Sequence, residues 1–516
     1  MLGCDGVPVQ EPEQKLPSQA DPKTGWGIGL VVMAGVLQAA FANNVNREFL
    51  PVLLCIALAV ALLAVVANRK GAPSSALMAS LAASALVGLC VIWNWGQQVE
   101  IASGTSSDIF RSSLRWPHVP VYGTAQVFRS VTILPAMFVL AGMALCVFHF
   151  RQRIGITGIT VLALLIALSY SLCVEPAPGS FAGNMAELAS GANQFESLAH
   201  LMASHNELQP TLEFRPAHYP AGVLLPFVAA RDMGLPWFTR LFFLGASVAT
   251  LPVLFYLAKE LGCDSRRACW LLASSPAFCV ASALWIDGAV MLFCALSMLC
   301  ALIAARRSLL LFSAASGLSL LMAMFLSFTT LFFVPILVFL GIALTFRGEI
   351  KGQRLLAIAA VALAAGILGV LALRLTGYDL VRSLLCSREL TYQGGWAGGY
   401  DSPFRVLLRA TGAILAFFFM AGASLTALVC RRSPIVRAQC LRGSLWAALL
   451  LGGLSGMVFL ETERVWAYFL PMLAAAASAT HTESDQRQNE NSLPIFVLAQ
   501  VVMLALLLPF FDFRNG

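Results

Sequence analysis

Three histidines and three carboxylates are gathered in one polar run, Phe195 to Leu225, reading FESLAHLMASHNELQPTLEFRPAHYPAGVLL. They are His200, His205 and His218, and Glu196, Glu207 and Glu213. Glu196 and His200 are four residues apart, so on a helix they share a face. An acid beside a histidine can make a general base, an ion pair or half of a metal site. The same spacing also fits a solvated interfacial helix with its polar face in water. His200 and His205 are five apart, which does not stack on a helix, and no further ligand spacing supports zinc. No metal cofactor is indicated. Pro220, after His218 and Tyr219, fixes the backbone and calls for an extended Tyr219, and Gly222 then allows close packing. That arrangement is either a rigid shoulder setting His218 at the membrane surface or a plain helix entry.

Outside this run, ionisable groups are scarce and stand at the ends of apolar stretches. Asp287 interrupts LWIDGAVMLF, and an ionisable group at such a place is a functional candidate. Arg240 stands at the start of an apolar run, where its fork can hold a lipid phosphate or snorkel to the interface. Glu461 and Arg464 are three apart in ETER and can pair locally, or Arg464 can face the same cavity as the polar run.

The elements that must position these groups are membrane helices. Of 516 residues, 59% are hydrophobic and only 11% charged, with a mean hydropathy of +0.80; soluble domains carry roughly 25% charged residues. A span needs about 20 apolar residues, and such runs recur throughout. Without period-two alternation they choose helices over a barrel. The expected architecture is all-α: a polytopic integral membrane protein of about fifteen spans, with a large outer loop carrying interfacial helices. Residues 1–24 form a polar tail, 25–173 an N-terminal transmembrane block, 174–237 the outer loop and 238–511 a C-terminal transmembrane block. The net charge of +7 is no nucleic-acid signal, because the basic residues cap apolar runs and report topology.

Tyr219 to Ala230 is apolar but short, which reads as a re-entrant or interfacial segment. If it does not cross, Lys259, Arg266, Arg267, Arg306, Arg307, Arg347, Lys351, Arg354, Arg431, Arg432, Arg437 and Arg442 all fall on the cytoplasmic side, as the positive-inside rule asks. The N-terminus is then cytoplasmic, and the central loop, Asp287, residues 376–404 and Glu461–Arg464 share the outer face. The expected location is an inner or plasma membrane in the cell envelope.

Acidic residue, short helix, histidine–proline shoulder and an Arg-started span together resemble the first outer loop of the GT-C fold glycosyltransferases. These are polytopic enzymes, of the dolichyl-phosphate-mannose mannosyltransferase-like superfamily, that take sugar from a polyprenyl-phosphate carrier. The segment FESLAHLMASHNELQPTLEFRPAHYPAGVLLPF is similar to their acidic pair, turn and proline-rich HPPG-like motif. WFTRLFFLGASVATLPVLFYLAKELG resembles the span that follows, LWIDGAVMLF the Asp-bearing helix end after it, and ETERVWAYFLPMLAAAAS a late Glu-x-x-Arg…Pro segment. TGYDLVRSLL is compatible. The acidic pair is reduced here to Glu196 after Phe195, the shoulder reads HYPAG, and about five spans precede the loop.

The resemblance implies transfer of a sugar from a polyprenyl-phosphate donor to a glycan, lipid or protein acceptor at the outer face. Glu196, His200 and His218 would be catalytic, with Glu196 the base; Tyr219, Arg240, Asp287, Glu461 and Arg464 would bind substrate. The donor is a co-substrate, membrane lipids surround the chain, and neither a resident cofactor nor nucleic acid is called for. A transporter or flippase for a lipid-linked or small polar substrate is the alternative, and it would place charge at the bilayer midplane in broken helices.

Overall fold

The computed structural model describes residues 124–125, 153–174, 181, 184–307, 310–393, parts of 406–455, 466–479, parts of 493–501, and 511–512. These residues are helical apart from a two-residue antiparallel bridge, Thr124–Ala125 with Phe511–Asp512. The N-terminal tail, nearly all of the N-terminal block, and Glu461 and Arg464 lie outside them.

Helix α1 is Ile156–Val174. The central loop follows as α2 (Asn184–Ala192), α3 (Leu198–Leu208), a 3-10 turn (Gln209–Thr211), α4 (Phe214–His218), a second 3-10 turn (Ala221–Val223) and α5 (Leu225–Asp232). Then come α6 (Phe238–Leu261), α7 (Ser265–Ala273), α8 (Pro276–Leu284), α9 (Asp287–Arg307) and α10 (Leu310–Leu326). A 3-10 stretch, Phe328–Phe333, leads into α11 (Val334–Phe346), followed by α12 (Gly352–Leu375) and α13 (Leu380–Gln393). The last described helices are α14 (Ala423–Val429), α15 (Val436–Ser455) and, after a 3-10 turn at Ala467–Phe469, α16 (Leu470–Ala477).

Among the described residues, four stretches are long and apolar enough to cross a membrane: Phe238–Leu261, Asp287–Arg307, Phe328–Phe346 and Gly352–Leu375. Helices α1, α6, α9, α10 and α12 pack in a row, each against the next. Small residues set the close approaches. A Cβ on Gly288 would strike Ser247 Oγ of α6, and one on Gly317 of α10 would strike the Ala362 carbonyl of α12, the small-residue packing that membrane helices use. Helix α12 closes the row: Ile358 is its one buried residue, and Leu356, Leu363, Leu368 and Leu375 are exposed. An all-apolar face turned outward is what lipid requires. Helix α16 is its opposite. Leu470 to Ala477 are buried throughout, so this alanine-rich segment is a core piece touching α6, α7, α9, α14 and α15.

The ends of the helices sort the polar groups. Glu260, at the end of α6, accepts from Arg306 at 2.6 Å and Arg307 at 2.9 Å, at the end of α9. Arg354, in the first turn of α12, donates to Ala304 O at 3.0 Å, and Glu349 pairs with Arg437 at 2.6 Å. Ser478 O accepts from Asp264 N. These basic turns therefore gather at one end of the bundle, as the charge pattern requires, and the central loop lies at the other.

Helix α5 bears on the register, because it is too short to cross a bilayer. Its eight residues span about 12 Å at 1.5 Å per residue, against a hydrocarbon core of about 30 Å. Thr239 Oγ1 donates to Pro226 O at 2.9 Å, tying the first turn of α5 to the first turn of α6. Its other end reaches α6 through a tight turn in which Gly234 has φ 64°. Both ends lie at the head of α6, and Pro226, Phe227, Val228 and Ala230 are buried against the bundle.

Candidate active site at the central loop

Ser197 caps α3, its hydroxyl accepting from His200 N at 3.2 Å, so Glu196 falls just outside the helix. This corrects the shared helical face expected for Glu196 and His200. The contact between them runs instead through the backbone: the Glu196 N–H donates to His200 Nδ1 at 3.1 Å. The histidine closes the first turn of α3, as a capping box does with Glu or Gln, and this bond makes Nδ1 the acceptor nitrogen. Phe195, fully buried, anchors the other side of the turn, its ring 6.0 Å from both the His200 and the His205 rings. The Glu196 side chain between them is exposed. A carboxylate on a turn held from both sides has a fixed origin and free access to solvent.

Helix α2 packs on α4 and α5. Ser190 Oγ donates to Glu213 Oε1 at 3.1 Å, Arg215 stands 3.8 Å from Glu187, and Arg231 Nη1 reaches Ala192 O at 3.3 Å. His218 ends α4, half-buried, its carbonyl accepting from Ser387 Oγ of α13 at 2.9 Å. Tyr219 is extended as Pro220 demands, with φ −104° and ψ 152°, and its ring packs on the core. Gly222 makes the expected close approach, since a Cβ there would run into the Phe325 carbonyl at the end of α10.

Arg240 is 5% exposed, its guanidinium 5.1 Å from the Trp237 ring centre. It does not snorkel; its charge is turned inward and stacked on an aromatic face. Asp287 opens α9 and is 1% exposed. A carboxylate there meets the positive end of the helix, and it acts electrostatically on Tyr468, whose hydroxyl donates to Thr329 O at 2.7 Å. Arg240 and Asp287 thus sit in the opening turns of two helices packed together, α6 and α9. Glu461 and Arg464 lie outside the described residues; the chain resumes at buried Trp466, just before Tyr468.

The structure also adds residues that spacing did not single out. The corner between α12 and α13 is docked on α3. Asn206 donates to Asp379 O at 2.8 Å and accepts from Asp379 N at 2.8 Å. Gln209 Nε2 donates to Ala217 O at 2.8 Å and Ser383 O at 3.1 Å, and Tyr378 OH accepts from Ala221 N at 3.3 Å. His205 is fully buried between Phe195 and Tyr378, whose ring lies 5.6 Å away. Burial lowers the His205 pKa to about 4 and raises that of Tyr378. The Asp379 carboxyl is held below its ordinary value by the Arg382 N–H and then by Arg374, 2.6 Å away. The available signal was the spacing of His205 and Gln209, one helical turn apart, together with the polar TGYD in a distant loop.

Among the described residues no group of three or more His, Cys, Asp and Glu stands together to hold a metal ion. The chain matches no family profile, no curated protein and no solved structure at a significant level.

Proposed function

We propose that the chain is a polytopic membrane glycosyltransferase of about fifteen spans, acting on a polyprenyl-phosphate sugar at the outer face of the membrane. The observation that carries this reading is the exposed Glu196 carboxylate on a turn fixed by Phe195 on one side and His200 on the other. In the reaction Glu196 takes the proton of the acceptor hydroxyl while that oxygen bonds to the sugar's anomeric carbon. The sugar–phosphate bond breaks, and its electron pair leaves with the polyprenyl phosphate. Because phosphate leaves readily, the base supplies mainly proximity and orientation. His200 acts by holding the Glu196 turn, and His218 and Tyr219 shape the pocket wall. Arg240 and Arg464 offset charge on the leaving phosphate, and Asp287 contributes to substrate binding at the head of α9.

The second reading is transport of a lipid-linked or small polar substrate; it draws on the burial of Arg240 and Asp287, although both stand at helix heads and not at the midplane. One experiment separates the two. Glu196→Gln keeps size and hydrogen bonding and should lower sugar transfer by about 100-fold or more in protein that remains folded and inserted. Glu207→Gln is the clean control, being exposed on α3; Glu187→Gln also removes charge facing Arg215. Normal transfer by Glu196→Gln removes the assigned base. Purified protein that moves no sugar from any polyprenyl-phosphate donor, yet moves lipid-linked substrate across vesicles, establishes transport instead.

A further inference from the structure

The docking of the α12–α13 corner on α3 has the makings of a two-state contact. It combines polar bonds, namely the paired Asn206–Asp379 bonds, Gln209 to Ser383 O, Tyr378 OH to Ala221 N, and Ser387 to His218 O, with the buried Tyr378 ring and Leu380. The closed state also carries a penalty. Among the described residues, neither ring nitrogen of His205 nor Gln209 Oε1 has a hydrogen-bond partner, and both side chains are fully buried. Buried polar atoms left unpaired are costly, and parting the contact would give them water. Gly377 joins α12 to α13. It has φ 96°, and a Cβ on it would stand 2.9 Å from Ala203 Cα of α3. Only glycine allows both that turn and that approach. The far side of α13 is unencumbered, with Val381 and Leu385 exposed.

We infer that the α12–α13 corner is a clasp on the central loop, hinged at Gly377 and released when His205 takes up a proton. The inference stands on this geometry and is independent of sugar transfer.

Among the described residues, the charged and titratable groups on the surrounding elements give an imidazolium no counter-ion. On the corner, the Asp379 carboxylate is taken by Arg374 and by the Val381 and Arg382 N–H groups, and Tyr378 presents an aromatic ring. On α3 and the turn before it, Glu196 and Glu207 are exposed and His200 is engaged with the Glu196 backbone. On α5, Arg231 and Asp232 pair with each other at 3.0 Å. On α4, Arg215 stands by Glu187, and His218 brings no negative charge. A proton on His205 is therefore favoured only where water reaches the ring.

The sign follows from the lowered value. Above the ordinary 6.5 His205 is neutral whether the clasp is open or closed, and the closed state keeps its full advantage. As pH falls from 6.5 towards about 4, the open state binds a proton that the closed state refuses. Between neutral pH and pH 4 the ratio of open to closed rises by roughly 160-fold, by linkage, towards a limit of roughly 300-fold at lower pH.

The test is a distance measurement on the full chain in lipid nanodiscs. Genetically encoded spin labels replace Glu207 and Leu385, both exposed, and samples are frozen between about pH 7.5 and pH 4 for electron double resonance across the histidine range. The expected result is one short distance at neutral pH and a growing longer population below about pH 6. His205→Phe, which keeps a stacked ring but cannot titrate, should stay short throughout. Asn206→Ala, which removes two clasp bonds, should show the longer population already at neutral pH. A wild-type distance unchanged down to pH 4, a His205→Phe clasp that opens like wild type, or an Asn206→Ala clasp that stays shut would each overturn the proposal.

Discussion

Gly222→Ala offers a sharp test of how the histidine–proline shoulder is seated. The added methyl would be driven into the Phe325 carbonyl at the end of α10. That obstacle is backbone on both sides, so no rotamer change relieves it. Either the 3-10 turn Ala221–Val223 lifts away or α10 shifts, and overpacking of this kind costs about 1–3 kcal/mol. The neighbouring Ala221 N–H, bonded to Tyr378 OH at 3.3 Å, would be strained as well, and a bond of that kind contributes about 1 kcal/mol. The total is about 2–4 kcal/mol. Gly245→Ala is the internal control. It lies within α6 with nothing within 4 Å of an added Cβ, so alanine there should be neutral or stabilising by up to about 1 kcal/mol. Apparent melting temperatures in detergent, read by loss of the monodisperse peak, compare the two directly. The Gly222 variant should melt several degrees lower, and its sugar transfer should fall with the displaced His218. A Gly222→Ala protein as stable as wild type, with Gly245→Ala destabilised, would refute the reasoning.

Two further outcomes are expected from the two ends of the bundle. Glu260→Ala leaves Arg306 and Arg307 without the carboxylate that joins α6 to α9; at 10% side-chain exposure for the glutamate the loss should exceed that of Arg437→Ala, whose pair with Glu349 is more exposed and should contribute no more than about 1 kcal/mol. Urea or thermal midpoints rank the two, and the reverse order would show that the Glu260 cluster does not hold the helix ends. Cysteines placed at exposed Ala203 and Asp232 should both react with an impermeant thiol reagent added from one and the same side of sealed vesicles. Reaction from opposite sides would mean that α5 crosses the membrane.

Much of this protein was set by sequence alone, and the reasons are local or compositional. An apolar chain with so few charges and no period-two alternation satisfies its backbone in lipid as helices rather than a barrel, and the described residues are mainly helical. Pro220 fixes the extended backbone of Tyr219 by sterics that act over two residues. The short run after it is too brief to span, and the basic turns had to share one end; Glu260, Arg306, Arg307, Arg354 and Arg437 do. The start of α3 after Glu196 was also local, set by the Ser197 cap three residues before His200, so the Glu196–His200 pair became a backbone contact. Tertiary structure decided what depends on distant partners. Burial of Arg240 against Trp237 and of Asp287 beside Tyr468 depends on how α6, α9 and the turn before α16 meet. Above all, Asn206 and Asp379 are 173 residues apart, and no spacing rule joins them. His205 was one polar residue among several until Phe195 and Tyr378 closed on it and left its ring no water.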